Sequence, residues 1–111
     1  MADFVELTLE QGATFNSVIT VRDNQGVAQN LSGYSARSQM RRSYYSSSKK
    51  DFTVTITSAP GGEITMYMSA ANTANVTPGR YVYDVELQDN STGDVTRIFE
   101  GIATVLPNVT R

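Results

Sequence analysis

The chain contains no cysteine, no histidine and no tryptophan. Without cysteine, neither disulfides nor thiolate metal sites contribute to its stability, and its redox compartment stays open. Without histidine, the usual general base near neutral pH and the commonest metal ligand are missing. An excess of one charge sign is missing too: 9 basic residues face 11 acidic ones, for a net charge of −2. Nothing in that balance recruits nucleic acid or an anionic membrane by bulk electrostatics. No apolar run approaches the length of a membrane span. Met1–Ala2–Asp3 leads straight into Phe4–Leu9, with no charged n-region or apolar h-region of an export signal before it. The Asn-x-Ser/Thr triplets at Asn30, Asn75, Asn90 and Asn108 therefore read as products of a Ser-, Thr- and Asn-rich composition, not glycosylation sites. What is present is 111 residues, 40% hydrophobic with 8 glycines. That suits one domain over residues 1–111, able to bury about two-thirds of its unfolded surface.

The order of apolar and polar residues is that of strands separated by turns. Val5, Leu7 and Leu9 alternate with Glu6, Thr8 and Glu10. Phe15, Ser17, Ile19 and Val21 share a face, and Asp23–Gly26 closes that strand. Val27–Leu31 reads as a short edge piece. Tyr34 to Arg42 forms a less apolar strand, with Tyr34, Ala36, Ser38 and Met40 on one side. Ser43–Asp51, rich in serine and lysine, reads as a mobile loop. Phe52, Val54 and Ile56 give the cleanest period of two, and Ile64, Met66 and Met68 follow after Pro60–Gly61–Gly62. Residues 69–76 are small and helix-tolerant, with Ser69 placed to cap one helical turn. The last strand, Asp94 to Leu106, has inconsistent facing, because Ile98 and Ile102 oppose Phe99 and Val105. A bulge would reconcile them, and Gly101 marks a site for it.

The most informative segment is Thr77–Leu87. Pro78–Gly79 makes a corner, after which Tyr81, Tyr83, Val85 and Leu87 all point one way. Tyrosine on a core face needs a partner for its hydroxyl. A tyrosine just past a corner, at the start of a late strand, marks immunoglobulin-like sandwiches, where it ties the corner back. The expected fold is all-β: an immunoglobulin-like antiparallel β-sandwich of about seven strands, with at most one short helical turn near 69–76. The Cys–Trp–Cys centre of antibody domains is excluded, so the likeness is architectural.

Chemistry has to come from carboxylates. Asp84 and Glu86 share a face, and Glu100 lies across the terminal hairpin. Such a group could act as acid and base or hold Ca²⁺; it serves equally as a solvated face with Arg80 and Arg97 as cross-strand partners. No phosphate loop, nucleophile elbow or calcium loop is present. No enzyme activity, metal or cofactor is expected. The one charge asymmetry is Arg37, Arg41, Arg42, Lys49 and Lys50, more than half of the 9 basic residues, interleaved with Tyr44 and Tyr45. Basic groups beside aromatics can hold single-stranded nucleic acid, anchor a protein interface or discourage edge pairing. With a pI near 4.9, the protein interface is favoured: Arg37, Arg41, Arg42, Tyr44 and Tyr45, rimmed by Lys49 and Lys50. Tyr67 is a secondary outward aromatic.

"FNSVITVRD" at Phe15–Asp23, then Asn30–Leu31–Ser32–Gly33–Tyr34, "GRYVYDVEL" and the closing "EGIATVLPNVTR" resemble a group of small tailed-phage proteins. These are known from cyanophages among others, and look like the immunoglobulin-like N-terminal domain of phage baseplate upper proteins. The resemblance covers nearly the whole chain. It implies a virion structural component of tail, baseplate or neck, assembled in the host cytoplasm through contacts with other virion proteins and with itself, and with neither nucleic acid nor membrane as partner. It supplies no catalytic residues. The alternative is a carbohydrate- or host-surface-binding adhesin module using Tyr44, Tyr45 and Tyr67 as a flat platform for a glycan.

Overall fold

In the computed structural model, residues 3–22 and 25–109 are described. The strands are β1 (Asp3–Phe4), β2 (Leu7–Glu10), β3 (Phe15–Thr20), β4 (Tyr34–Arg41), β5 (Lys49–Ser58), β6 (Glu63–Met68), β7 (Gly79–Asp89) and β8 (Val95–Leu106), with one helix, α1 (Ala70–Ala74), between β6 and β7. Neighbours run β1–β8–β7–β4–β5–β6–β3, and β2 also pairs with β8. The all-β expectation holds, and β1 and β2 are one strand broken at Val5–Glu6.

Two layers arise because β5 changes partner. Ser38–Arg41 of β4 pair with Lys49–Phe52, whereas Thr53 onward pairs with β6. A strand that switches sheets lets one hydrogen-bonded path fold over into a sandwich that is nearly a barrel. One layer holds β1/β2, β8, β7, β4 and the start of β5; the other holds the rest of β5 with β6 and β3. Between them lie Leu7, Leu9, Met40, Phe52, Ile64, Met66, Met68, Tyr81, Tyr83, Val85, Leu87, Phe99, Ala103 and Val105. The alternation read from the sequence thus faces as expected on β5, β6 and β7. Phe15 packs tilted against Phe52 with ring centroids 5.6 Å apart, and Phe52 and Tyr83 meet edge to face at 6.4 Å, so an aromatic chain crosses from β3 to β7.

Several expectations need correction. The first strand pairs parallel to the last, Asp3 opposite Phe99 and Leu7 opposite Ala103, while all other pairs are antiparallel. Val27–Leu31 is not a strand: only an isolated bridge joins Arg22 to Ala28, and the segment is held by buried Leu31, whose N–H donates to the Ala59 carbonyl. The asparagine and aspartate of the Asp23–Gly26 turn lie outside the described residues. Lys49–Asp51 belong to β5 and not to the loop, which shortens to residues 42–48. The bulge in β8 is at Ile98, the residue left over between Val85↔Phe99 and Glu86↔Arg97.

Gly101 answers a different need. The backbone of Val5 passes over its inner face, and a Cβ there would lie 3.0 Å from the Val5 carbonyl carbon. Tyr83 sits opposite Gly101, and its hydroxyl donates to the Val5 carbonyl at 2.6 Å. The ring therefore covers the bare glycine and pins the crossing strand, an aromatic–glycine pairing familiar from sheets. At the other end of the tyrosine pair, the Tyr81 hydroxyl donates to the Thr77 carbonyl at 2.6 Å. The corner is closed as the sequence implies. Helix α1 is the one turn expected, with the Asn72 N–H donating to the Ser69 side chain as N-cap.

Candidate functional site

Alternation places the seven candidate residues before any ligand is considered. On β4, Tyr34, Ala36, Ser38 and Met40 turn inward, so Arg37, Gln39 and Arg41 turn out. The registers carry each across the sheet. Arg37 is opposite Glu86, and Glu86 opposite Arg97. In the next rung Asp51, Gln39, Asp84 and Glu100 stand in line, and in the third Lys49, Arg41, Val82 and Ile102. The outer face of this sheet is therefore an acidic rung between cationic ones. Arg37, Gln39, Arg41, Asp84, Glu86, Arg97 and Glu100, together with Tyr44, line a shallow depression of about 420 Å³.

The charges are matched within the chain. Arg37 Nε donates to Glu86 Oε1 at 2.8 Å. Arg97 reaches Asp84 at 3.3 Å and Glu100 at 3.4 Å, and Lys49 reaches Asp51 at 3.1 Å. Arg41 donates to the Ser46 carbonyl and to Gln39 Oε1, holding the loop against the sheet. Partial burial raises the Asp84 carboxyl above its ordinary value, and Glu86 and Glu100 add to this while Arg97 opposes it. Among the described residues no group of carboxylates is arranged to hold a metal ion. The carboxylates that the sequence offered as a chemical group are engaged by Arg37 and Arg97; no ion pair joins Arg80 to them, since it stands opposite Thr104.

The remaining candidates separate. Arg42 turns around the end of β4, stacks 4.7 Å over the Tyr81 ring and donates to the Pro78 carbonyl. A side chain at Gly79, where φ is +142°, would run into that guanidinium. Arg42 thus braces the tyrosine corner. Lys50 follows it to a second depression of about 360 Å³ bordered by Met40, Thr77 and Tyr81. Tyr44 and Tyr45, 72% and 98% exposed, stand at the loop between these two regions. So Arg37, Arg41 and Tyr44 share a surface, Lys49 stands opposite Arg41 at its border and also lines the second depression, Arg42 and Lys50 face away, and Tyr45 is the projecting tip. Tyr67 is elsewhere: it lies between Asn16 and Thr53 on the outer face of the other sheet, so the three tyrosines do not form one platform.

Asp84, Glu86, Arg97 and Glu100 complete the face and were absent from the sequence-derived contact set. The sequence grouped Asp84, Glu86 and Glu100 with Arg97 as a separate set; it did not show that β4 lies beside β7, which brings Arg37 and Arg41 onto the same face. No protein family matches the sequence, and no curated protein matches it. Among solved structures, the fold is similar to the N-terminal domain of phage TP901-1 ORF48, with a TM-score of 0.55 and 15% identity over 94% of this chain and 97% of that one. The shared property is the fold. Looser likenesses, each with a TM-score of 0.45, are to a family 123 glycoside hydrolase from Clostridium perfringens (13% identity, 98% of this chain, 24% of that one) and to the NK cell receptor NKp44 (10% identity, 96% and 99%). These two carry no weight for function. Among the described residues, no helix is long and apolar enough to cross a membrane.

Proposed function

We propose that this chain is a structural component of a tailed-phage particle, in the tail, baseplate or neck, and that it works by protein–protein contact. The observation that carries this reading is the end-to-end likeness of fold to a phage protein domain, with almost no part of either chain left over. The sequence frame from Phe15 to the closing strand supports the same class. The contact surface we assign is the loop of residues 42–48 with the adjoining outer face: Tyr44 and Tyr45 as anchors, Arg37 and Arg41 beside them. Exposed tyrosine next to arginine suits an interface core, and the ion pairs on the sheet face supply orientation more than affinity.

Cross-linking mass spectrometry on purified particles tests this. Cross-links from Lys49 or Lys50 to another virion protein are the expected result. Absence of the protein from particles that are otherwise complete would overturn it.

A further inference from the structure

The two ends of the sheet path are built differently. At one end, β1 is two residues long, the strand breaks at Val5–Glu6, and exposed Glu6 and Glu10 flank it. Short, interrupted and charged edges resist pairing with another chain. At the other end, β3 runs Phe-Asn-Ser-Val-Ile-Thr with no charge, no proline and no register shift against β6. The Val21 N–H donates to the Gly62 carbonyl opposite it. By the alternation of an antiparallel ladder, Ser17 and Ile19 also direct their backbone groups to β6, leaving those of Asn16, Val18 and Thr20 on the open edge. Among the described residues no other bond reaches them. The adjoining outer face is uncharged over Val18, Tyr67, Thr53, Thr55 and Thr65, its one nearby charge being Glu63 beside Thr20 at the strand's end, and Val18 is 61% exposed.

We propose that β3 is a homodimerisation edge, pairing antiparallel with β3 of a second copy of this chain about a two-fold axis at Val18. The occupant is a second copy because the strand is self-complementary in this register. Val18 meets Val18 of the second copy, and Asn16 meets Thr20, each pair exchanging both N–H···O=C bonds. Inner residues stay inside and outer ones outside, since the two members of every pair share a face. No like charges meet, because Arg22, the charge adjoining the strand, falls opposite Thr14 of the second copy. The two three-stranded layers become one continuous sheet, and the contact is isologous, as closed two-fold assemblies require. This inference stands apart from the loop-centred contact proposed above, and either can fail alone.

Sedimentation equilibrium over a micromolar to millimolar series tests it. The wild-type protein is expected to dimerise. Val18→Lys, which sets two ammonium groups face to face, is expected to weaken dimerisation about tenfold or more, with the circular dichroism spectrum unchanged. Val18→Pro, which removes an edge-directed donor and no donor of the β3–β6 ladder, is expected to do the same. Register is read by thiol chemistry, with no native cysteine to compete. Val18→Cys should cross-link to itself through a short bifunctional reagent, and Asn16→Cys should cross-link to Thr20→Cys but not to itself. A strict monomer at millimolar concentration, a dimer indifferent to both Val18 variants, or a wild-type monomer that instead pairs with a strand of another protein would each overturn the proposal.

Discussion

Tyr81 and Tyr83 sit two residues apart on the inner face of β7 and do unlike jobs with the same hydroxyl. Tyr81 closes a local corner, reaching the Thr77 carbonyl four residues back, while Tyr83 reaches the Val5 carbonyl at the far end of the chain. Replacing either by phenylalanine keeps the ring and leaves a carbonyl short of a donor. Each variant should lose about 1–2 kcal/mol in urea unfolding. Hydrogen exchange separates them: Tyr83→Phe should loosen Leu7–Glu10, and Tyr81→Phe should not. Burial also pushes the Tyr83 hydroxyl up to about 12 from 10.0. Its contribution is therefore full below pH 10 and is lost as pH rises toward 12, so Tyr83→Phe should flatten the alkaline fall in stability over that interval. Asp84 has the same sign in the acid range. Its raised carboxyl favours the folded state most when protonated, below the ordinary value of 3.8, and that contribution is lost as pH rises through the higher folded value. Asp84→Asn should accordingly be neutral or mildly stabilising at pH 7, and its advantage should close as pH falls toward 3.8.

At the scale of elements, the first strand depends on Gly101. Gly101→Val places branched carbons where the Val5 backbone passes, and should cost about 2–4 kcal/mol with loss of protection in β2. Elements were legible in the sequence where local pattern decides them. Phe52–Ile56, Ile64–Met68 and Tyr81–Leu87 show their faces by alternation alone, and Ser69 announces α1. Partners were not legible, because a period of two tells which side faces inward but not which strand lies alongside. Hence the switch of β5 between layers and the parallel pairing of β1 and β2 with β8 became visible only in the fold. Gly101 was read as a bulge because a bulge and a close backbone approach leave the same mark in sequence. Charge misled at Lys49–Asp51, which are solvent-exposed at the end of the sheet and so tolerate ions without ending the strand. The contact residues were legible as a run of basic and aromatic types, but alternation turned Arg37 and Arg41 one way and sent Arg42 to brace the corner.

Across the whole molecule, the two outer faces have opposite characters. One carries ion pairs and the tyrosine loop, the other threonines with Tyr67 and, at its open edge, Val18. A building block with two unlike contact regions can be joined by two independent kinds of neighbour. The loop is the region we assign to other virion proteins, so Tyr44→Ser with Tyr45→Ser should leave thermal stability within about 0.5 kcal/mol of wild type. Incorporation into particles, measured by quantitative mass spectrometry, should fall several-fold.

The parallel pairing of β2 with β8 also sets how the molecule answers force. Leu7–Glu10 and Ala103–Leu106 run side by side in one direction, so tension applied through the two ends of the chain pulls them past each other along their length. The hydrogen bonds between them are then loaded together in shear, and none can open before its neighbours. An antiparallel hairpin in that place would unzip one rung at a time. With the Tyr83 hydroxyl fastened to Val5 at the head of that seam, β2 and β8 are held together where such a pull would load them.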